Sequence, residues 1–417
     1  MSDSKLPAGW SKKPLGALVS FQKGRKTDTS KNALNGYARY LGASGLSGKD
    51  DGFADMAGAV IAEPSDLLML WDGERSGLVG YMQQGVVAST VSRLTPTDEI
   101  DSAYLYYKLV SLFDWIQARR TGTGVPHVPK DLGKILDIIY PKDKSVQRNI
   151  ATILRTIDNQ IDATQALIDK YTAIKQGMMA DLFSRGIDPE TKALRPTFEE
   201  APELYHKTPL GMLPKGWDVE VLGDLASIAS GITLGKDLSG VRTVLVPYLR
   251  VANVQDGYLD LSEVKSIAVP EVDADKYVLQ YGDVLMNEGG DFDKLGRGTV
   301  WREEIPGCCH QNHVFRVRAD NRKLRFDYLA YWSASSFGKH YFVLNSKQST
   351  NLASINSTQL KAFPVAKPTL EEQEEIESRL QSVDGLLRSS KDELHKLIAQ
   401  KSGLMQDLLT GKVSVPA

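Results

Sequence analysis

"DKSVQRNIATILRTIDNQIDATQALIDKYTAIKQGMMADLFSRG" (residues 143–186) decides how the rest of the chain is read. It holds no proline, and Gly177 is its one glycine before the terminal Gly186. Leu154, Ile157, Ile161, Thr164, Ile168, Tyr171, Lys175, Met178 and Leu182 follow one another at alternating steps of three and four. That spacing is the narrow heptad seam of a coiled coil, not the broad stripe of a helix lying on a core. A second stretch, "EEQEEIESRLQSVDGLLRSSKDELHKLIAQKSGLMQDLLTGKV" (371–413), repeats the seam 226 residues later as Leu380, Val383, Leu387, Ser390, Leu394, Leu397, Lys401, Leu404 and Leu408. Even the polar members coincide, Thr164 with Ser390 and Lys175 with Lys401. Outside the seam Gln147 matches Gln373 and Ile150 matches Ile376.

A helix of about 40 residues is roughly 60 Å long. Alone it would expose its apolar edge to water, so it needs a partner. The partner the sequence offers is the other copy, paired antiparallel within the chain with a globular unit at each end. The competing arrangement packs each helix separately on its own globular part. Gly177, Gly385 and Gly403 weaken both helices in isolation, in keeping with rods stabilised by contact.

The globular parts repeat as well. "LPAGWSKKPLG" (6–16) returns as "LPKGWDVEVLG" (213–223), and "SDLLM" (65–69) returns as "GDVLM" (282–286). Each of the latter reads as a turn followed by a buried strand that ends in a polar or glycine-rich loop. "GVVASTVSRLTP" (85–96) and "GCCHQNHVFRVRAD" (307–320) read as core strands leading away from that loop, with helical segments near 101–119 and 325–337. The offset between copies grows from 207 to 226, so insertions fall in the globular parts while the rods keep their length. The expected fold is α+β, with two mixed α/β domains at 1–142 and 207–370. Each is followed by a long helix, at 143–186 and 371–411, and the helices pair as an antiparallel coiled coil with internal pseudo-twofold symmetry. The proline- and charge-rich stretch 187–206 reads as a connector.

Bulk properties narrow the class. A chain of 417 residues is long for one core. With 50 Lys and Arg against 52 Asp and Glu, net charge neither suggests nor excludes nucleic acid, since a basic face can be balanced elsewhere. The two cysteines, Cys308 and Cys309, are adjacent, which suits neither a disulfide scaffold nor a four-ligand zinc site and points to a reducing cytoplasm. No apolar run suggests a membrane span, and "MSDSKLPAGW" resembles no secretion signal.

Catalytic signatures are missing from the sequence: no G-x-G-x-x-G after a strand, no phosphate-binding G-x-x-x-x-G-K-[ST], no H-E-x-x-H, and no "DPPY" or "NPPY". Asp256 with Glu263-Val264-Lys265 is the nearest pattern to a metal-dependent nuclease centre, but it lies in a charged stretch without buried strands. His127 and His313 sit in strand-like contexts that suit structural histidines. Three pairs of loops suit phosphate and base contacts instead. After the opening phrases come Lys23, Arg25 and Lys26 in the first half and Lys236 in the second. After the repeated strand come Arg75 and then Lys294 with Arg297. The third pair carries Arg119 and Arg120, and Lys347, Gln348 and Asn351.

On these residues the chain resembles the specificity subunit of type I restriction-modification systems over essentially its whole length. The repeated L-P-x-G-W-x-x-x-x-L-G, "GDVLM", "GTGVPHV" (122–128), "PTLEEQEEI" (368–376) and "DLLTGKV" (407–413) carry the resemblance. "YPKDKSVQRNI" before the first seam departs from the pattern of the second. The resemblance implies a non-catalytic subunit whose two target recognition domains each read one part of a split double-stranded DNA sequence, with the coiled coil setting the gap. It also implies two modification subunits that methylate adenine with S-adenosylmethionine, and restriction subunits that use ATP and Mg to translocate and cleave DNA. No cofactor is expected on this chain. A nuclease with fused recognition domains and a scaffold that binds only proteins are the alternative readings.

Overall fold

The structure is a computed structural model that describes residues 6–122, 124–235, 237–290, 295–296, 298–348 and 353–417. It forms two compact units, Met1–Leu167 with Ser390–Ala417, and Ile168–Ser389. Each unit therefore contains part of both long helices, Lys144–Arg185 and Leu370–Leu408.

The first unit is built on a four-stranded antiparallel sheet in the order Val19–Lys23, Val91–Pro96, Leu67–Leu70, Val79–Tyr81. Ala226–Ala229, Val314–Ala319, Val284–Asn287 and Gly298–Val300 repeat that order in the second unit. The repeated "DLLM/DVLM" strand is central and buried throughout. Its two faces serve different cores: Leu67 and Met69 join the helices, while Leu68 and Leu70 face a smaller cluster with Leu41 and Val87. Val284 and Met286 divide from Leu285 in the same way. A strand covered on both faces reads as an unbroken apolar run. The preceding aspartate makes the turn: Asp66 Oδ2 accepts from the Glu63 amide at 3.0 Å, and Asp283 Oδ2 from the Gln280 amide at 2.7 Å.

Residues 85–96 are not one strand. Gly85–Val87 pairs in parallel with Tyr37–Leu41 in a second sheet, and Val91–Pro96 enters the main sheet after a turn. Cys309–His310 and Val314–Ala319 divide likewise, the former parallel to Thr243–Leu249. Apolar residues on both sides of a short turn hid the change of sheet. The helical segments are also broken, into Ser102–Ser111 with Phe113–Gln117, and Phe326–Ala334 with Ser336–Asn345.

Each long helix starts on a buried glutamine. Gln147 accepts from the Asp101 amide at 2.6 Å and donates to the carbonyls of Glu99 and Pro141. Gln373 does the same with the Arg325 amide and the carbonyls of Lys323 and Pro368. Both side chains are fully buried, so each amide leaves three donors or acceptors satisfied rather than stranded.

Within the first unit the two rods pair antiparallel. Ile150 and Leu154 share a core with Leu404, Met405 and Leu408, and farther along Ile157 and Thr164 face Leu397 and Glu393. In the second unit, Leu182 and Phe183 share a core with Ile376 and Leu380. That core also holds Trp217, Tyr328 and Trp332, so the end of the first rod completes the second unit's interior.

The L-P-x-G-W phrase explains itself here. Gly186 and Gly411, just past the ends of the rods, take left-handed conformations with φ of 63° and 73°. A Cβ on Gly411 would lie 2.8 Å from Trp10 Cε2, and one on Gly186 would lie 2.6 Å from Trp217 Cζ2. Each tryptophan thus covers the terminal glycine of the rod that began in the other half of the sequence. Gly411→Ala combines left-handed strain of about 1–2 kcal/mol with overpacking of about 1–3 kcal/mol. Calorimetry is expected to show the first unit's transition lowered by several degrees, and an unchanged transition would refute the packing argument.

His310 differs from its counterpart Val87. It is fully buried, and its Nδ1–H donates to the Val314 carbonyl at 2.7 Å. Burial pushes its pKa down to about 4. A depressed histidine pKa contributes stability that is present above the unfolded value near 6.5 and is lost as pH falls toward 4. The second unit should therefore lose up to about 3 kcal/mol across that window, seen as a falling melting temperature. His310→Asn, which keeps a donor without titrating, should remove that part of the slope.

Candidate nucleic-acid interface

In the first unit the three loops singled out from sequence meet at one end of the main sheet. Asp72 joins them: Oδ2 accepts from Lys23 Nζ at 2.8 Å and Oδ1 lies 2.7 Å from His127 Nδ1. The backbone closes the same junction, with bridges from His127 to Asp72 and Thr121, and the Gly73 amide donating to the Pro126 carbonyl at 2.8 Å. Burial alone would raise the Asp72 carboxyl. The hydrogen bonds from Lys23 and His127 outweigh it and hold the pKa below the ordinary value. Asp72 is thus a carboxylate that ties the Lys23 ammonium and the His127 imidazole to one loop junction.

The predicted residues here divide by role. Arg75 is exposed, as are Lys26 and Arg25, the last donating to the Gly58 carbonyl at 3.2 Å. Arg119 is exposed and lies over Trp115, its guanidinium carbon 3.8 Å from the ring centroid. Such a guanidinium keeps its outer edge open to an acceptor. Arg120 turns inward, donating to the carbonyls of Glu74 at 2.6 Å and Gln117 at 3.0 Å, and so holds two of the loops together.

The second unit brings its loops together at the equivalent place. Gly289–Gly290, Ala353–Ser354 and Lys347–Gln348 form a small sheet, and the Ile355 amide donates to the Glu288 carbonyl. The first loop is held to the strand Cys309–His310, where the Ile232 amide donates to the His310 carbonyl. Lys347 is exposed. Lys236, Lys294, Arg297 and Asn351 lie outside the described residues, as does the side chain of Gln348. Glu288 Oε2 sits 2.5 Å from His313 Nδ1, an acid–imidazole pair that sequence reasoning missed. Asp72, the centre of the first cluster, was missed too. Aligning the repeats sets Asp72 against Gly289 and His127 against Ser354, so the two junctions share a backbone and differ in chemistry.

Elsewhere, Asp256 pairs with Lys339, and Glu263 with Arg250 and Lys265. Among the described residues, no group of three or more His, Cys, Asp or Glu is placed to hold a metal ion. None of the helices among them is long and apolar enough to cross a membrane.

Comparison with known proteins agrees with the duplication. The family model for the type I restriction modification DNA specificity domain matches twice, at residues 7–172 and 214–398. The chain is 28% identical over its full length to the type I restriction enzyme MjaVIII specificity subunit of Methanocaldococcus jannaschii, covering 95% of that protein. It is 23% identical to the StySPI specificity subunit of Salmonella potsdam, over 98% of this chain and 89% of that one. Its fold is similar to the crystal structure of a type I restriction-modification S subunit from M. genitalium, with a TM-score of 0.61 at 17% identity over 97% and 98% of the two chains. The duplicated sheet, the duplicated loop junction and the doubled family match agree, and the chain belongs to the type I restriction-modification DNA specificity family, as a specificity subunit.

Proposed function

We propose that this subunit binds a split double-stranded DNA target with a fixed gap and directs adenine methylation and restriction by partner subunits. The observation that carries the reading is the loop junction that occurs twice at the same place in the same fold, each copy beside paired stretches of the same two long helices. Two readers joined by a rod bind tightly only when both half-sites are present at the right separation. In this reading Lys23, Arg25, Lys26, Arg75 and Arg119 in the first unit, and Lys236, Lys294, Arg297, Lys347, Gln348 and Asn351 in the second, contact phosphates and base edges. Arg120 acts by shaping its loop. The unlike junctions, Asp72–His127 against Gly289–Ser354, favour unlike half-sites.

Catalysis belongs to the partners in this reading. Two modification subunits supply S-adenosylmethionine chemistry, and restriction subunits use ATP and Mg. A near-neutral chain has little charge to hold DNA alone, so the modification subunits supply much of the phosphate clamp. The test is methylome sequencing of a host expressing this chain with its cognate modification subunit. New adenine methylation at one split motif with a single gap is expected. A stable complex that adds no methylation would favour a protein-binding scaffold.

A further inference from the structure

We propose that two Lys–Asp–Tyr triads, acting beside the rod-end contacts of Gly411 with Trp10 and of Glu372 with Ile187, set the register in which the long helices pair, and through it the separation of the two DNA readers. The second half of that statement rests on the function proposed above. In the first unit, the Asp158 carboxylate receives Lys401 of the second rod on Oδ1 at 2.5 Å. Its Oδ2 accepts from the Tyr107 hydroxyl, on the globular helix Ser102–Ser111, at 2.7 Å. In the second unit Asp384 receives Lys175 of the first rod on Oδ1 at 2.6 Å and Tyr331, from Phe326–Ala334, on Oδ2 at 2.7 Å. Equivalent groups meet through the same carboxylate oxygens in both units, with the two rods exchanging the Asp and Lys roles.

The apolar seam cannot choose this register by itself. Its pattern repeats every seven residues, so moving one rod by a heptad again sets leucine against leucine and isoleucine. The triads do not survive that move. Asp158 would then face Leu394 or Leu408, and Lys175 would face Lys391 or Glu377, the latter already bound to Arg325. The triad side chains are only about one-quarter exposed. A slipped register leaves partly buried charges without partners, which costs far more than an exposed pair is worth. A polar residue at a seam position specifies register for this reason. The tyrosines extend the constraint, because they come from the globular helices and tie each unit to the register of the rods it holds.

Two quadruple variants of the full chain test this. Lys175→Leu, Lys401→Leu, Asp158→Asn and Asp384→Asn together make the seam apolar and leave both tyrosines an acceptor. Asp158→Lys, Lys401→Asp, Asp384→Lys and Lys175→Asp together reverse every pair and keep it. Spin labels on Ala166→Cys and Ala399→Cys, both exposed in the first unit, report the register, while Cys308 and Cys309 are buried. The unsubstituted and charge-reversed seams should give one narrow distance. The apolar seam should melt no lower than the unsubstituted one, yet show a second label distance, because a slip of seven residues changes the axial offset between the labels by about 10 Å. With the modification subunit present, it should also lose at least ten-fold of the methylation at the original gap. One narrow distance for the apolar seam overturns the proposal, as does a loss of stability without a second distance. If the distances shift as stated but no variant, nor the unsubstituted chain, directs split-motif methylation, the register assignment stands and the functional reading falls.

Discussion

Replacing Glu372 with alanine is expected to cost the second unit about 3–5 kcal/mol, the penalty for removing one partner of a buried, hydrogen-bonded ion pair. Glu372 lies in the first turn of the second rod and accepts from four donors. These are the Ile187 amide at 2.7 Å, the Trp217 indole at 3.1 Å, and Arg195 at 2.5 and 3.1 Å. Its side chain is 6% exposed and that of Arg195 is 12% exposed. Alanine would leave an indole N–H and a backbone amide without an acceptor, and the guanidinium with only the Arg185 carbonyl at 3.3 Å, in a site largely closed to water. Glu372→Gln retains an acceptor oxygen and loses only the charge, so its cost should be smaller, about 1–3 kcal/mol.

The first copy provides an internal control for the same experiment. The counterpart of Glu372 is Val146, which packs against the apolar core of the first unit. Val146→Ala removes two methyl groups at a half-buried site and should cost about 1 kcal/mol. Calorimetry of the full chain is expected to show the second unit's transition moving far down with Glu372→Ala and little with Val146→Ala. Trp217 fluorescence should move to the red in the first variant only. Equal, small shifts in both would mean that Arg195 finds another acceptor.

Residues 187–206 show where sequence reasoning stopped. Read as a connector because nothing in them is periodic, they instead return Arg195 to the start of the second rod, and the Tyr205 hydroxyl donates to the Pro196 carbonyl. A guanidinium aimed at one carboxylate 177 residues away leaves no local pattern. The rods were legible because a seam is a periodic property, and doubling made chance coincidence untenable. The two-core strand was legible as a buried run, though not which residue faced which core, since both faces are apolar. The loop junctions were legible as three matched segments. Their pairing through Asp72 was not, because convergence in space depends on the sheet order. Opposite outcomes for Arg119 and Arg120 make the same point: adjacent identical residues differ because only one can reach the Glu74 carbonyl.

On the function proposed above, lengthening both rods by one heptad should change which DNA is methylated without changing what each unit reads. The insertion points follow from the division of the chain, between Leu167 and Ile168 and between Ser389 and Ser390. Cuts there leave the Asp158–Lys401 and Lys175–Asp384 pairs and both buried glutamines inside their units. Seven residues add about 10 Å of helix, the axial rise of about three base pairs. Methylation at the original motif should fall by more than ten-fold, and a motif with the same two half-sites and a gap longer by one to three base pairs should replace it. A heptad in the first rod alone gives the added turn no partner of matching length, so either register or seam must yield, and methylation should fall at every spacing. If the double insertion keeps the original gap, rod length does not set the separation, and the ruler must be sought in the partner subunits.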